Sequence, residues 1–446
     1  MSGTSSSGDV STERLRIGIL AETHPEMSFT SLNHLLQIAT LEDAFHKTRQ
    51  GGALGVDGVS GADYEANLEG NLQSLLDRAK SGTYQAPPVR RVRIPKDGVP
   101  GETRPLGIPT FEDKVLQRAV VWILAEIYER DFHSCSYGFR PLRSAHDAIT
   151  DLHAGLQETN CRWVYEVDIR KFFDTLDHGV LRELLRRRIR DGVLLRLIGK
   201  WLKAGVLEDG VRTYPEDGSP QGGVISPLLA NVYLHYVLDD WFLNEVRPRL
   251  TGQAFLIRYA DDFVIGFTHE SDARRVMEVV PKRFAKYGLT IHPEKTRLVP
   301  FGRPPLAASR PRDASGTPPG TFDFLGFTHY WARTRRGRWV VRAKTAKTRL
   351  GRAIHKITDW CRRHLHDPIT SQWVKLRQKL LGHYAYYGVS GNYRALSQMY
   401  AAVWRIWRRS LSRRSQKSTL TLMAFVGLLE RLPLPKPRIV HRWFGA

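Results

Sequence analysis

The stretch that most limits the fold is Phe255–Phe267, FLIRYADDFVIGF. Two apolar runs, Phe255–Tyr259 and Phe263–Phe267, flank Ala260, Asp261 and Asp262. Phe, Ile, Val and Tyr favour a pleated, half-buried strand. The short polar break between the runs predicts a hairpin with two carboxylates at its tip. Neighbouring side chains on an extended chain face opposite ways, so one Asp points into a site while the other supports it from the edge. Many Asp-Asp pairs are ordinary solvated turns. Here, two anions ending an apolar hairpin repel each other, which raises carboxylate pKa values unless a cation sits there. Hard oxygen ligands of this kind suit Mg²⁺.

A catalytic centre of this type needs a third carboxylate. Trp163–Asp168, WVYEVD, reads as a strand that ends on one, well placed to meet Asp261 from a neighbouring strand. Arg170 and Lys171 follow closely, so a plain ion pair is the bland alternative for Asp168.

Charge adds a second constraint. The 446 residues suffice for two or three domains and carry 67 Lys+Arg against 45 Asp+Glu, a net of +22. Trp331–Ala446 holds 26 basic and 3 acidic residues, a net of +23, and the preceding 330 residues are at −1. Seven of the eleven Trp residues lie in that same quarter. Cations for phosphate, interleaved with flat rings for bases, make a nucleic-acid surface. An acidic membrane or plain solvation are the alternatives. Cys135, Cys161 and Cys361 are far apart, without a CxxC pair, which argues against zinc and against a disulfide framework. No apolar run reaches the ~18 residues of a membrane span. The expected location is the cytoplasm, without a membrane partner.

Along the chain, residues 1–30 read as a disordered tail with a Ser/Gly-rich start, and short helices follow. Gly51–Gly61 is a Gly-rich turn region that matches no phosphate-loop fingerprint. Val89–Pro95 and the return through Arg104 predict a hairpin presenting Lys96 and Arg104. Thr110–Phe132 has apolar residues at helical spacing from Val115 to Ile127, read as core. Leu181–Lys203 reads as one basic amphipathic helix, Ser219–Gly223 as a tight loop and Ile225–Trp241 as an apolar helix. Residues 302–320 look like a Pro/Gly/Ser/Arg-rich linker, and 321–330 like a strand or turn. Helices are expected near 345–366, 371–388 and 392–412, before a tail marked by Pro433, Pro435 and Pro437.

Several stretches together resemble the bacterial group II intron reverse transcriptase/maturase family. They are RPLGIPTFEDKVLQRAV (104–120), SYGFRP (136–141), YEVDIRKFFD (165–174), SPQGGVISPLLANVYL (219–234), RYADDF (258–263), GLTIHPEKT (288–296) and FDFLGF (322–327), in the family's order. LRQKLLGHYAYYG (376–388) is similar, less sharply, to the maturase thumb. The resemblance implies an α+β right-hand polymerase. Fingers would span 31–150 and the palm 151–330, with an antiparallel sheet and part of the fingers inserted near 180–220. A basic helical thumb would span 331–415, and 416–446 would be a short tail that reads as a reduced DNA-binding segment.

By the same resemblance, Asp168, Asp261 and Asp262, with the Ile169 carbonyl, hold two Mg²⁺ ions, for which Mn²⁺ can substitute. Lys96, Arg104, Phe173 and Gln221 bind the nucleotide, Phe173 as a steric gate whose bland alternative is core packing. Tyr259, Ala260, Gly222 and Lys295 lie near primer and template. Partners implied are an RNA template (structured intron RNA), a DNA primer and target, and dNTPs, for a monomer or homodimer. The paired-Cys HNH endonuclease motif of many members is not found, which implies a primer made elsewhere. A domesticated role in phage defence or beside a CRISPR system, and a binding maturase with little polymerase activity, are the competing readings.

Overall fold

The computed structural model describes residues 7–95, 101–208, 211–213, 222–305, 319–414 and 420–443. Helices α1 (Ser7–Thr23), α2 (Ile38–Lys47), α3 (Gly61–Glu65) and α4 (Leu68–Ser81) precede a hairpin of β1 (Val89–Pro95) and β2 (Thr103–Ile108). Next come α5 (Phe111–Asp131), α6 (Ala145–Glu158), β3 (Trp163–Asp168), α7 (His178–Arg186), α8 (Gly192–Leu202), β4 (Val206–Glu208), β5 (Val211–Thr213) and α9 (Ser226–Leu234). The hairpin of β6 (Ala254–Tyr259) and β7 (Asp262–Phe267) leads to α10 (Glu270–Ala285), β8 (Arg297–Pro300), β9 (Phe322–Phe324), β10 (Phe327–Arg333) and β11 (Trp339–Thr345). Four helices close the chain: α11 (Lys347–Arg363), α12 (Ile369–Tyr387), α13 (Tyr393–Ser412) and α14 (Leu422–Arg431). The chain is thus a mixed helix-and-sheet protein, and among the described residues no helix is long and apolar enough to cross a membrane.

The sheet that matters for the site has the order β6-β7-β3-β8 and is antiparallel throughout. Its register places Asp168, the last residue of β3, opposite Asp262, the first of β7. Helices α10 and α6 pack on this sheet, and α5 packs against α1, α2 and α9, with its Val115, Leu116, Ala119, Val120, Ile123, Leu124 and Ile127 all fully buried, as their spacing predicts. Thr110 caps α5 by accepting from the Asp113 N–H at 3.3 Å. The Asp113 carboxylate does not return to Thr110. It is buried and accepts from the hydroxyl of Tyr84 and from Trp201 Nε1 at 3.2 Å, so the helix start is tied to α8 instead.

Several expectations need correction. The tail expected to be disordered over 1–30 is helical from Ser7. It packs on α5 through small residues, Gly18 lying close to Glu126 and Ala21 being buried, while Glu22 pairs with Arg130 at 3.4 Å. The single helix expected over 181–203 is two. Asp191 ends the run because its carboxylate caps α8, accepting from Val193 and Leu194 N–H at 2.9 and 3.0 Å. The other oxygen accepts from Leu32 and Asn33 N–H at 2.7 and 2.9 Å. The helix expected over 225–241 continues from α9 as wider π turns at His235–Asp239 and Phe242–Val246. A domain boundary at 330 would cut β10, which pairs along its whole length with β11. The helical quarter therefore begins at α11, and most of the proline-rich linker lies outside the described residues.

Residues 432–443 form an extended strap that joins α12 to α6. Trp373 Nε1 donates to the Pro433 carbonyl at 3.0 Å, and the Tyr384 hydroxyl donates to that of Pro435 at 3.1 Å. His441 N–H donates to Gly388 O at 2.8 Å, and its ring stacks on His146 of α6 with centroids 3.7 Å apart. Trp443 fills the junction between Phe327 of β10 and His153 of α6. Trp443→Ala should cost ~3–5 kcal/mol of stability. Denaturant unfolding of the full chain checks this, and an unchanged midpoint would show that the junction carries little of the fold.

Candidate active site

Strands β6 and β7 pair with Tyr259 opposite Asp262, leaving Ala260 and Asp261 as the turn. Ala260 sits at φ 57, a left-handed backbone that residues with a Cβ adopt reluctantly. It is held there from below. Arg258 is fully buried and donates to Asp239 at 2.7 and 2.5 Å, to Asn231 Oδ1 at 3.0 Å, to Ser136 Oγ at 2.7 Å and to the Ala260 carbonyl at 3.0 Å. Those bonds use the whole donor set of a guanidinium. Asn231 Nδ2 in turn donates to Gly138 O at 2.8 Å. The loop beside the turn needs glycine at 138, because a Cβ there would lie 2.3 Å from Ala260 N. Tip and loop are thus packed backbone to backbone.

The third carboxylate arrives on β3. Asp168 is half-buried, and its Oδ2 accepts from Lys295 Nζ at 2.6 Å. The Asp168 carbonyl accepts from His292 N–H at 2.8 Å, which ties the strand end to the loop carrying Lys295. Ile169 is buried and bridges to Ile291.

Above these carboxylates opens a cleft of about 760 Å³. Arg104 enters it from β2, Phe139 from the loop before α6, Phe173 from beyond β3, and Arg349, Arg352, Tyr386 and Tyr387 from α11 and α12. A larger cavity of about 1170 Å³ lies between α7 and α8, lined by Arg182, Arg190, Lys203 and other cations. Its one carboxylate among the described residues is Glu183, already paired with Arg186 at 2.7 Å, so it lacks the clustered acids of the smaller cleft.

Electrostatics mark the smaller cleft as strained. Burial raises the pKa of Asp261, Asp168 adds repulsion, and Arg104 and Arg258 oppose both. Asp262 is pushed up to about 7, first by loss of solvation, then by Asp261 and Asp168, against the pull of Arg349 and Lys295. Asp262 still presents surface to the cleft, but the surrounding walls displace much of its bulk water. Among the described residues no three His, Cys, Asp or Glu side chains converge into a finished metal cage. The donor set nevertheless fits Mg²⁺, which takes a few carboxylate oxygens and completes its shell with water and substrate phosphates. The unrelieved repulsion between the three acids is what such an ion would cancel.

Of the residues singled out from the sequence, Asp168, Asp261, Asp262, Arg104, Phe173, Tyr259, Ala260 and Lys295 line this one cleft. Phe173 is half-buried, its ring edge-on to Phe172 at 5.4 Å, with one side left to the cleft. Gly222 lies outside the lining. It takes φ 119, and a Cβ there would be 2.2 Å from Gly107 O, so its backbone presses on β2. Lys96 and Gln221 fall outside the described residues. Arg349, Arg352, Tyr386 and Tyr387 were not foreseen individually. For Arg349 and Arg352 the only signal was the basic, aromatic character of the helical quarter, whereas Tyr386 and Tyr387 lie in the thumb-like stretch 376–388.

An antiparallel sheet that brings three acids to the floor of a cleft with arginines on its walls suits metal-assisted chemistry on a phosphate-bearing ligand. Residues 94–329 match the family described as reverse transcriptase (RNA-dependent DNA polymerase). The chain belongs to that family, within its group II intron reverse transcriptase/maturase branch. It is 42% identical over 239 residues to protein YkfC of Escherichia coli, covering 47% of this chain and 62% of YkfC. It is 45% identical over 186 residues to the group II intron-encoded protein LtrA of Lactococcus lactis, covering 42% of this chain and 30% of LtrA. A putative intron 1 protein of COX1/OXI3 from Saccharomyces cerevisiae is 28% identical over 275 residues, covering 51% of this chain and 32% of that protein. The matched region thus spans less than two thirds of each of these relatives.

Two outcomes follow from the geometry. Arg258→Met strands Asp239 as a buried, unpaired charge and should cost ~3–5 kcal/mol in urea unfolding. Adding Asp239→Leu should recover part of the loss, and a purely additive double variant would contradict the pairing. For Asp262, the folded-state pKa of about 7 exceeds the ordinary 3.8. Between those values the folded protein keeps a proton that the unfolded chain has released. The stabilisation is full at low pH and is lost as pH rises through about 7. Asp262→Asn should therefore raise the melting temperature in EDTA clearly more at pH ~8 than at pH ~5, because only part of the stabilisation has been lost at the lower pH. A difference that stays flat with pH would refute this.

Proposed function

We propose that the chain is an RNA-directed DNA polymerase of the group II intron type, extending a DNA primer along an RNA template with dNTPs. The observation that carries this reading is the set of three carboxylates, Asp168, Asp261 and Asp262, at adjoining strand ends under a cleft walled by Arg104, Arg349 and Arg352. In this reading β3, β6, β7 and β8 belong to the palm, β1 and β2 with the preceding helices to the fingers, and α11 to α13 to the thumb.

Asp168 and Asp261, with Asp262 and the Ile169 carbonyl, would hold two Mg²⁺ ions, whose charge stabilises the attacking 3′ oxygen and the departing pyrophosphate. Arg104, and Lys96 from the same hairpin, would bind the triphosphate and neutralise its developing charge. Phe173 would lie under the sugar and leave no room for a 2′-hydroxyl. Lys295 orients the Asp168 carboxylate through its 2.6 Å contact. Tyr259 and Ala260 would flank the primer end, held by the packing under the turn. Cationic helices of the C-terminal quarter would grip phosphates, and a structured intron RNA is the natural further ligand for so basic a surface.

Primer extension on an RNA template with dNTPs and Mg²⁺, comparing the unaltered protein with Asp261→Asn, tests the reading. Extension should fall by a factor of ~10³ or more, while the affinity for RNA should change little. If neither protein extends a primer and both bind structured RNA tightly, the chain is a binding maturase.

A further inference from the structure

The loop between α5 and α6 carries an oddity that the chemistry above leaves unused. Phe139 and Leu142 both take left-handed backbone, at φ 60 and 58, and both are exposed, at 61% and 103%. Bulky residues seldom adopt this conformation, and it persists only where the surroundings impose it. They do so here. Arg140 is buried and bonds Glu129 at 2.9 Å, His133 O at 2.8 Å and Ser136 O at 2.9 Å. On its other side, Gly138 is clamped between Asn231 and the backbone of Ala260. Phe139, fixed between these anchors, is a wall of the cleft beside Tyr259 and Asp261.

An aromatic ring held in water by a strained backbone, next to three acids, has no explanation in core packing. The other walls narrow down its partner. Arg104, Arg349 and Arg352 face the same cleft, among acids that include Glu294 and Asp323, so it suits an occupant that brings phosphates to the arginines, cations to the acids and an apolar face to the ring. Nucleic acid with its bound cations combines these.

We propose that Phe139 is a positioning residue for the template–primer duplex, its ring packing against a base or sugar edge near the primer end. Loop and turn are one packed unit, so a strand resting on Phe139 is set in register with Asp261. The assignment rests on the polymerase reading above. Leu142, strained and exposed in the same loop but outside the cleft lining, is the internal control.

The experiment measures steady-state extension of a DNA primer on an RNA template and, separately, fluorescence-anisotropy binding of the same hybrid without dNTPs. It compares the unaltered protein, Phe139→Ala, Phe139→Trp and Leu142→Ala. Phe139→Ala should weaken hybrid binding and raise the hybrid KM about 5- to 150-fold, the equivalent of one lost base–aromatic stack. The dNTP KM should stay within about twofold, Phe139→Trp should restore binding, and Leu142→Ala should behave as the unaltered protein. Unchanged hybrid affinity in Phe139→Ala overturns the proposal. So does an equal loss in Leu142→Ala, or an effect confined to the dNTP KM. Should no variant extend a primer, the polymerase reading fails while the anisotropy comparison still decides the role of Phe139.

Discussion

One buried ion pair, Arg258 with Asp239, holds the parts of the site in register. Both side chains are fully enclosed. Such a pair gains little net stability, because desolvating two charges offsets most of their attraction. Its value lies in direction. The guanidinium joins the π-helical turn that bears Asp239, the helix that bears Asn231, the loop at Ser136 and the carbonyl of Ala260. A hydrophobic replacement could fill the space but could not aim a strained turn. The π turn beginning at His235 fits the same demand, since widening the helix there alters where Asp239 points. The sheet supplies the strand ends, and this network decides how the tip between them is bent.

Charge is arranged in layers around that tip. The acids lie on the floor, and loss of solvation, reinforced by their mutual repulsion, makes Asp262 resist ionisation. Lys295 answers Asp168 directly at 2.6 Å, whereas Arg104 and Arg349 act on Asp261 and Asp262 through space. A cleft with an anionic floor and cationic walls rejects a bare polyanion at its centre and attracts one along its rim. Phosphates are admitted fully only when something neutralises the floor, so the electrostatics couple cation binding to substrate binding.

What could be read from the sequence was what local patterning controls. The β6–β7 hairpin, the buried face of α5 and the three long helices after residue 345 follow from short-range period and lie near their predicted positions. The acids of the site were legible because two of them adjoin at the tip of a hairpin and the third closes a strand. Non-local causes hid the rest. Helix α1 docks through Gly18 and Ala21, which leave no large apolar stripe to detect. The break between α7 and α8 depends on Asp191 finding Leu32 and Asn33, far away in sequence. Arg258 was visible as a lone cation inside an apolar strand. Its partners Asp239, Asn231 and Ser136 come from segments that the sequence does not mark as neighbours.

The site also reaches beyond the stretch that resembles other reverse transcriptases. Residues 94–329 contain the acids and Arg104, but Arg349, Arg352, Tyr386 and Tyr387 follow them in the chain. Their placement depends on tertiary contacts. The Tyr386 hydroxyl donates to Leu325 O at 2.8 Å, joining α12 to the loop that borders the cleft. Behind that bond, the strap from Leu432 to Trp443 fastens α12 to α6 through His441 and Trp443. α6 in turn packs on the β6 strand that ends at the turn, with Gly155 set against the Phe255 ring. A closed circuit of contacts therefore runs from the acidic turn through α6 and the strap to α12, and back to the cleft. Loosening any link in it widens the cleft without touching an acid, so the cleft's width is a property of the tertiary circuit and its chemistry a property of the hairpin.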